Sequence, residues 1–567
     1  MNNDSNRTLA IVLALGGVVI TLFLCVALVG GAFFLWQRSD VVDEGTLSVQ
    51  EPTTQPETGE TSGSTGGGGV LRLPGGEPPT LDPALTSDAT SAEYIVELFS
   101  GLVTINPDTL AVEPDIAKSW DISDDGTVYT FHLRDDVTFA NGRPVTANDF
   151  KYSLERSCDP RTQSPVADTY LGDIVGCREK LRGQADEVRG VRVVDDYTLE
   201  ITIDSPKVYF LAKLTYPTAF VVDRETVEKG GRTWATDNPN GTGPFVLKEY
   251  TFGERLVLDP NPRYYGDPKP AVSVIYLLSG GSAMTMYETD ELDAVPVGLA
   301  DIARVQDPAD PLNKELVTFN TLSLGYVGLN NQQPPFDDPK VRQAFAQAVN
   351  VDTLANVVLE GIVEPAHSIL PPGMPGYNPD VRAYDYDPDA ARQALAESSY
   401  GSAENLPDIT LHISGAGGAV PRSVEAMVDM WKENLGVEVA IEQTEWATFL
   451  FDLQRDPNPY QMFNLGWIAD YPDPQNFLEI LFACDSLDNH FGYCNPQVDE
   501  LLKEAAVERD ETRRLQLYQQ AEELILRDAP LIPLSYGKEY WLVKPWVQGL
   551  RFPPTIVPRL KYVRIER

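Results

Sequence analysis

The sequence predicts an α/β fold, because segments with the periodicity of strands alternate with segments with the periodicity of helices. From Thr127 to Arg134, bulky apolar side chains occupy every second position, which is typical of a strand. Thr146 and Asp149 then stand at the spacing of a capping box and predict the start of a helix. Strands and helices that alternate along a chain favour an α/β architecture.

Further helices are predicted where an acid or amide residue precedes a proline. Proline suits the first helical position because its φ angle is preset and its missing N–H costs no hydrogen bond there. The pattern occurs at Asp338-Pro339, Asp387-Pro388 and Asn495-Pro496.

The clearest helix–strand unit lies around residue 430. An apolar stripe from Val424 to Leu435 predicts a helix that ends at Gly436, and the alternating segment 437–442 predicts a strand. A helix over 446–453 and a short strand over 463–467 follow. Ligands of open α/β sheets bind beside the loops at the carboxyl ends of strands, so we expect a ligand near residues 467–474.

The charge balance limits the possible partners. The chain has 44 Lys and Arg against 84 Asp and Glu, a formal net charge of -40. Such a surface repels phosphates, which excludes nucleic acid as a partner. The acidity predicts a well-solvated, self-repelling surface, and attraction of cationic ligands is the alternative.

Catalytic signatures are scarce in the sequence. It contains no nucleophile elbow, no His-Glu-x-x-His motif and no phosphate-binding loop, and only four histidines. We therefore predict a binding protein rather than an enzyme, with no cofactor and no metal.

Four of the five cysteines predict two local disulfides. Cys158 and Cys177 are nineteen residues apart, and Cys484 and Cys494 ten. A zinc site is the weaker alternative, because no Cys-x-x-Cys occurs. Disulfides form in oxidising compartments, so we expect the folded region to lie outside the cytoplasm.

The N-terminal region predicts a membrane attachment. Residues 9–36, which include Cys25, contain no charged side chain, and about 20 apolar residues suffice to span a bilayer. We expect a transmembrane anchor, with a signal cleaved near Ala32 as the alternative. Residues 37–69 are rich in Gly, Ser, Thr and Glu and predict a flexible linker.

The folded region resembles a family of extracytoplasmic solute-binding proteins of ABC importers, family 5, typified by oligopeptide- and dipeptide-binding proteins. Eight segments carry the resemblance, and all occur in the order found in the family. They begin at Pro79, Tyr129, Asn141, Asn240, Pro335, Trp431, Gly466 and Asn495.

This resemblance implies a type II periplasmic-binding-protein-like fold whose two lobes close on a ligand. By analogy we place lobe I at 70–99, 218–325 and 529–567, a subdomain inserted in it at 100–217, and lobe II at 326–528. The two crossings between the lobes would form a hinge. The implied partners are a peptide and the permease subunits of an ABC transporter, and we expect a monomer.

The resemblance also implies site residues. In peptide-binding relatives, the Asp of the Gly-Trp-x-x-Asp segment pairs with the α-amino group of the ligand, which makes Asp470 the candidate here. Trp467 would form an apolar wall beside the ligand, and Tyr471 is a further candidate.

The ligand carboxylate and a hydroxyl contact are assigned to three more residues. Some oligopeptide binders have an Arg two residues before the Gly-Trp pair, where this chain has Asn464. Arg422, at the start of a predicted helix, is the alternative basic contact. Tyr170 is a candidate ligand-facing hydroxyl.

Other functions are compatible with this fold. The same cleft could bind an oligosaccharide, a nickel complex or another solute, or serve a sensor instead of a transporter. A cell-surface hydrolase is the remaining alternative. Fold alone does not decide between ligands.

Overall fold

The computed structural model describes residues 69–415 and 417–567. The predicted anchor over 9–36, which contains Cys25, lies outside these residues. So does the predicted linker over 37–69, except for Gly69. Within the described part of the chain, no helix is both long enough and apolar enough to cross a bilayer.

The first sheet has four strands. Its N-terminal strand pairs in parallel with the strand that precedes a helix at Ala283–Glu288, and the other pairs are antiparallel. The helix Ala89–Leu98 shares a hydrophobic core with this sheet, in which Tyr94 and Tyr276 make an edge-to-face contact. In spatial order the strands are Val70–Pro74, Ser273–Leu277, Arg255–Pro260 and Phe245–Thr251.

A second, antiparallel four-stranded sheet lies within 100–217. The helix Ala147–Ser157 begins at Thr146 through the predicted capping box with Asp149, and buries Phe150 in the same core as Phe131 of the sheet. The sequence prediction of both elements is confirmed. In spatial order the strands are Ala117–Ile122, Val128–Leu133, Thr198–Thr202 and Val191–Asp195.

A seven-stranded mixed sheet contains the two longest strands described, Leu316–Leu329 and Leu531–Val543. They pair with each other in antiparallel fashion, and the register shifts between Asn320 and Leu324. The remaining strands are Ala294–Pro296, Met462–Ile468, Ile409–Ser414, Val439–Thr444 and Glu364–Pro365. Two short ribbons pair Val103–Ile105 with Val112–Pro114 and Val547–Gln548 with Arg564–Ile565.

Helices cover the faces of the sheets and fill the connections. The predicted starts at Asp338, Asp387 and Asn495 are confirmed, because each side chain accepts a backbone hydrogen bond from the first turn. Besides those given above, the α-helices are Ala167–Leu171, Cys177–Leu181, Phe210–Lys213, Arg224–Gly230, Trp234–Asp237, Leu299–Gln306, Pro339–Gln347, Val351–Thr353, Pro388–Glu397, Arg422–Leu435, Trp446–Leu453, Gln475–Phe482, Pro496–Val507 and Glu511–Asp528.

The unit around residue 430 forms as the sequence predicts. The helix Arg422–Leu435 ends at Gly436, whose φ of 72° lies in the left-handed region that glycine tolerates best. Trp431 is buried, and its indole donates a hydrogen bond of 3.1 Å to the carbonyl of Phe345. This packing fixes the helix against the core, and the chain continues into the strand Val439–Thr444.

Both predicted disulfides are present. The Cα atoms of Cys158 and Cys177 are 5.4 Å apart, and those of Cys484 and Cys494 are 4.6 Å apart. Each bond closes a loop of fewer than twenty residues. The loops contain residues that meet in the cavity described below.

Candidate functional site

A cavity of about 120 Å³, called here the Asp470 cavity, is lined by residues from three distant parts of the chain and by Ile556 near the C-terminus. Asp88 comes from the N-terminal part, Tyr170 and Tyr216 from the 100–217 region. The largest group comes from residues 446–490. Its members with polar side chains are Trp446, Gln454, Trp467, Asp470, Asp488 and His490.

Asp470 lies just after the strand Met462–Ile468, at the strand end where the sequence predicts a ligand. Its Oδ2 accepts hydrogen bonds from the hydroxyl of Tyr170 at 2.5 Å and from Nδ2 of Asn476 at 2.8 Å. Both donors are neutral. Burial raises the pKa of Asp470 to about 6, although these two hydrogen bonds act in the opposite direction. The carboxylate therefore favours a cation that enters the cavity.

Trp467 forms an apolar wall of the Asp470 cavity. Its indole N–H donates to Oδ1 of Asn476 at 3.1 Å, and the backbone N–H of Asp470 donates to the same oxygen at 3.0 Å. Asn476 is fully buried and so fixes Trp467 and Asp470 relative to each other.

Tyr170 and Tyr216 form the opposite wall of the cavity. Their rings stack with a centroid distance of 3.7 Å and an interplanar angle of 2°. The hydroxyl of Tyr170 is directed to Asp470, and that of Tyr216 donates to the carbonyl of Thr86 at 3.1 Å. The two rings present a rigid aromatic surface to a ligand.

A second carboxylate, Asp488, lines the same cavity. The hydroxyl of Thr169 donates to its Oδ2 at 2.9 Å. Burial, together with the nearby negative charge of Asp470, raises the pKa of Asp488 to about 7, against the opposing effect of the hydrogen bond from Thr169. His490 lies two residues on, and neither of its buried ring nitrogens has a hydrogen-bond partner among the described residues.

A neighbouring cavity of about 350 Å³, called here the Asn464 cavity, shares Trp446, Leu465 and Gly466 with the first. Asn464 lines it and donates to the carbonyl of Tyr326 at 3.0 Å. The buried indole N–H of Trp446 has no acceptor among the described residues. The shared residues place the two cavities side by side at the strand Met462–Ile468.

The structure separates Arg422 and Tyr471 from these cavities. Arg422 is exposed at the start of its helix and is not part of either lining, although its neighbour Ser423 lines the Asn464 cavity. Tyr471 is fully buried, and its hydroxyl donates to Oε1 of Gln475 at 2.6 Å. Because Tyr471 points into the core rather than into the cavity, it is not a ligand contact in this structure.

A further cavity, of about 540 Å³, is lined in part by Thr169, Lys207 and Lys213. Its buried cations are already paired, because Lys207 and Lys213 bind Asp173 at 2.5 and 2.7 Å. These ion pairs satisfy the charges that would otherwise recognise a ligand. We therefore place the candidate site in the Asp470 and Asn464 cavities.

Most lining residues were not identified from the sequence, among them Tyr216, Trp446, Asp488 and His490. Asp488 is one of many carboxylates, and nothing in its local sequence marks it as a site residue. The disulfide between Cys484 and Cys494 was the available signal, because it constrains the loop that carries both Asp488 and His490.

Comparison with known proteins identifies the family. The sequence model of the bacterial extracellular solute-binding proteins, family 5 Middle, matches residues 111–489. The chain belongs to this family. Among its family 5 relatives, the periplasmic oligopeptide-binding protein OppA of Escherichia coli is 32% identical over 85% of this chain and 89% of its own length. The probable deoxycholate-binding periplasmic protein YgiS of the same species is 32% identical over 83% of this chain and 89% of its own.

Solved structures of family 5 proteins share the fold. The complex of Haemophilus influenzae OppA with the peptide RPPGFSPFR superimposes with a TM-score of 0.80 at 26% identity, covering 88% of this chain and 99% of that chain. The Escherichia coli murein tripeptide-binding protein MppA gives 0.79 at 28% identity, with the same coverage. The unliganded open form of MppA gives only 0.64, covering 88% and 98%. The α/β periplasmic-binding-protein-like fold is thereby established.

Proposed function

We propose that this family 5 protein captures peptides between two lobes and delivers them to an ABC-type import permease. The observation that carries the proposal is Asp470, a carboxylate in an apolar and aromatic cavity that receives hydrogen bonds only from the neutral donors Tyr170 and Asn476. A free peptide brings an α-ammonium group that needs such a countercharge when it is buried.

The names of the relatives support a peptide as the ligand. OppA of Escherichia coli is an oligopeptide-binding protein, and OppA of Haemophilus influenzae binds a peptide in its solved structure. The Asp470 and Asn464 cavities suit an extended ligand, because they are adjacent and share Trp446 and Gly466 as lining residues. The ammonium group would bind at Asp470, and the rest of the backbone would continue along Trp467 toward Asn464.

Two lobes that move against each other would admit and enclose the peptide. We propose lobe I at 70–99, 218–325 and 529–567, its inserted subdomain at 100–217 and lobe II at 326–528. The strand Leu316–Leu329 passes through the first proposed crossing, and the second crossing lies just before the strand Leu531–Val543. A register shift near residue 324 offers a place to bend. The lower TM-score against the unliganded open form of MppA supports a closed arrangement here.

We propose further that residues 9–36 anchor the protein and that the folded region works outside the cytoplasm as a monomer. The two disulfides support an oxidising location. The family is defined by solute binding, and we propose that the chain has no enzymatic activity.

A non-peptide solute is the second candidate, because the relative named as probably deoxycholate-binding is also 32% identical. The charges in the cavity argue against a bile acid. Asp470 and Asp488 would both repel the carboxylate of deoxycholate, and no Lys or Arg is found among the residues that line the cavity.

The test combines binding, compaction and recovery of the ligand. Full-length protein is titrated with tripeptides by calorimetry, followed by solution scattering and mass spectrometry of the released ligand. We expect binding, a smaller radius of gyration and intact peptide. Asp470→Asn should weaken binding strongly, because truncating one partner of a buried charge pair costs about 2–5 kcal/mol. Hydrolysed peptide, or unchanged affinity in the variant, would contradict the proposal.

A further inference from the structure

The Asp470 cavity contains more negative charge than a peptide ammonium requires. One of its carboxylates, Asp88, caps a helix by accepting from the backbone N–H of Ser91, and two others remain. Asp470 and Asp488 both line it. The hydroxyls of two consecutive residues, Thr169 and Tyr170, donate to Asp488 and Asp470 respectively. A single helical turn therefore holds two carboxylates at the same end of the cavity, and both of these donors are neutral.

His490 is an independent sign of a missing ligand. Its side chain is only 7% exposed and lines the same cavity, yet both ring nitrogens lack a hydrogen-bond partner among the described residues. Buried polar groups are nearly always paired, so an unpaired imidazole in a cavity wall indicates a group that a ligand supplies. Burial lowers the pKa of His490 to about 4, so the ring is neutral and does not compete with a bound cation.

A metal ion does not fit this arrangement. Within residues 69–415 and 417–567, no three His, Cys, Asp or Glu side chains are grouped so that they could hold a metal ion. Two carboxylates with a neutral imidazole suit organic cations instead, since ammonium and guanidinium groups bring several N–H donors each.

We propose that Asp488 and His490 form a subsite for a second positive charge next to the one at Asp470, so that the protein prefers peptides whose first residue is Lys or Arg. The inference rests on the proposed peptide-binding function. The α-ammonium group would bind Asp470, and the side-chain cation would bind Asp488, with one N–H donated to the free imidazole. Two cations on one ligand residue would balance the two carboxylates.

The test compares peptides that differ only in this charge. Lys-Ala-Ala, norleucine-Ala-Ala and Ala-Ala-Lys are titrated into full-length wild-type protein by calorimetry. We expect Lys-Ala-Ala to bind at least about tenfold tighter than the other two, at the lower end of the coupling measured for close charge pairs. This comparison needs no variant and so does not depend on how any substitution folds.

Matched variants then locate the effect. Asp488→Asn keeps an acceptor for Thr169 and should abolish the preference, so that Lys-Ala-Ala and norleucine-Ala-Ala bind the variant with equal affinity. Asp88→Asn removes a charge from the same cavity at a carboxylate that already caps a helix through Ser91. It should retain the preference, since Asn is an equally good cap.

The possible outcomes separate the two proposals. Equal affinity of wild type for Lys-Ala-Ala and norleucine-Ala-Ala would overturn the subsite and leave peptide binding intact. An equal loss of preference in Asp88→Asn and Asp488→Asn would overturn the assignment to Asp488. Failure of every peptide to bind would overturn both the subsite and the proposed function.

Discussion

The hydroxyl of Tyr170 donates a hydrogen bond of 2.5 Å to Oδ2 of Asp470, 300 residues further along the chain. Thr169 makes the equivalent contact to Asp488 at 2.9 Å, across 319 residues. Both contacts join the proposed subdomain to the proposed lobe II. Each contact gives a carboxylate of the cavity a neutral hydrogen-bond donor from the other side of the proposed cleft. The two contacts therefore favour the closed arrangement.

Removal of the Tyr170 hydroxyl should weaken peptide binding. Tyr170→Phe keeps the ring stacked on Tyr216 but deletes one hydrogen bond to a charged group, which is worth about 1.5–3 kcal/mol at most. We expect calorimetric affinity to fall by about tenfold, that is by about 1.4 kcal/mol. Tyr471→Phe is the matched control, because it deletes a buried hydroxyl bonded to Gln475 outside the cavity. Equal losses in the two variants would argue against the role of Tyr170.

Peptide affinity should rise with pH across the range in which the two cavity carboxylates ionise. Burial raises the pKa of Asp470 to about 6 and that of Asp488 to about 7, whereas His490 stays neutral because its pKa falls to about 4. A cationic ligand binds the ionised carboxylates, so protons compete with it at low pH. Titrations between about pH 5 and pH 7, a range in which the α-amino group of the ligand keeps its charge, should show tighter binding at each step, and Asp470→Asn should flatten the profile.

The loop disulfide next to Asp488 should support both stability and binding. Cys484→Ser combined with Cys494→Ser opens the loop that carries Asp488 and His490. In the chain-entropy model, a loop of this length contributes about 3 kcal/mol to the free energy of unfolding. We expect a lower melting temperature together with weaker peptide binding by calorimetry. Loss of stability with fully retained affinity would mean that the loop is ordered without its bond.

Glu522 should make the protein less stable as the pH rises. The buried carboxylate accepts hydrogen bonds from the backbone of Ile369 and Leu370 through Oε1, while Oε2 has no partner among the described residues. Burial raises its pKa from 4.5 to about 7. A group with a raised pKa in the folded state stabilises the fold below its unfolded pKa, and this contribution is lost as the pH rises through the folded value.

Substitution of Glu522 tests this linkage. Glu522→Gln keeps the acceptor oxygen and removes the charge, so it should increase the free energy of unfolding at pH 8 by about 2 kcal/mol and change it little at pH 4. Glu500→Gln, at an exposed position of the helix Pro496–Val507, is the control. Denaturant unfolding at both pH values measures the difference, and a stabilisation that is equal at pH 4 and pH 8 would contradict the linkage.

Local patterns predicted the elements of this fold well, because caps and periodicity are written in short segments. The helix that starts after Thr146 and the glycine stop at Gly436 follow from such patterns. The direction in which a side chain points cannot be predicted from such local patterns. Asp470 and Tyr471 are consecutive residues of one motif, yet the first faces the cavity and the second packs in the core. Asp488 could not be predicted as a site residue, because its partner Thr169 is distant in sequence.

A disulfide-closed loop carries residues on each side of the cavity. Thr169 and Tyr170 lie between Cys158 and Cys177, and Asp488 and His490 lie between Cys484 and Cys494. A chain whose cysteines are still reduced has neither disulfide, and its two recognition loops are free to sample other conformations. We expect such a newly made chain not to bind the peptides of the cytoplasm. Formation of the two disulfides would then determine when and in which compartment the protein becomes able to bind peptides.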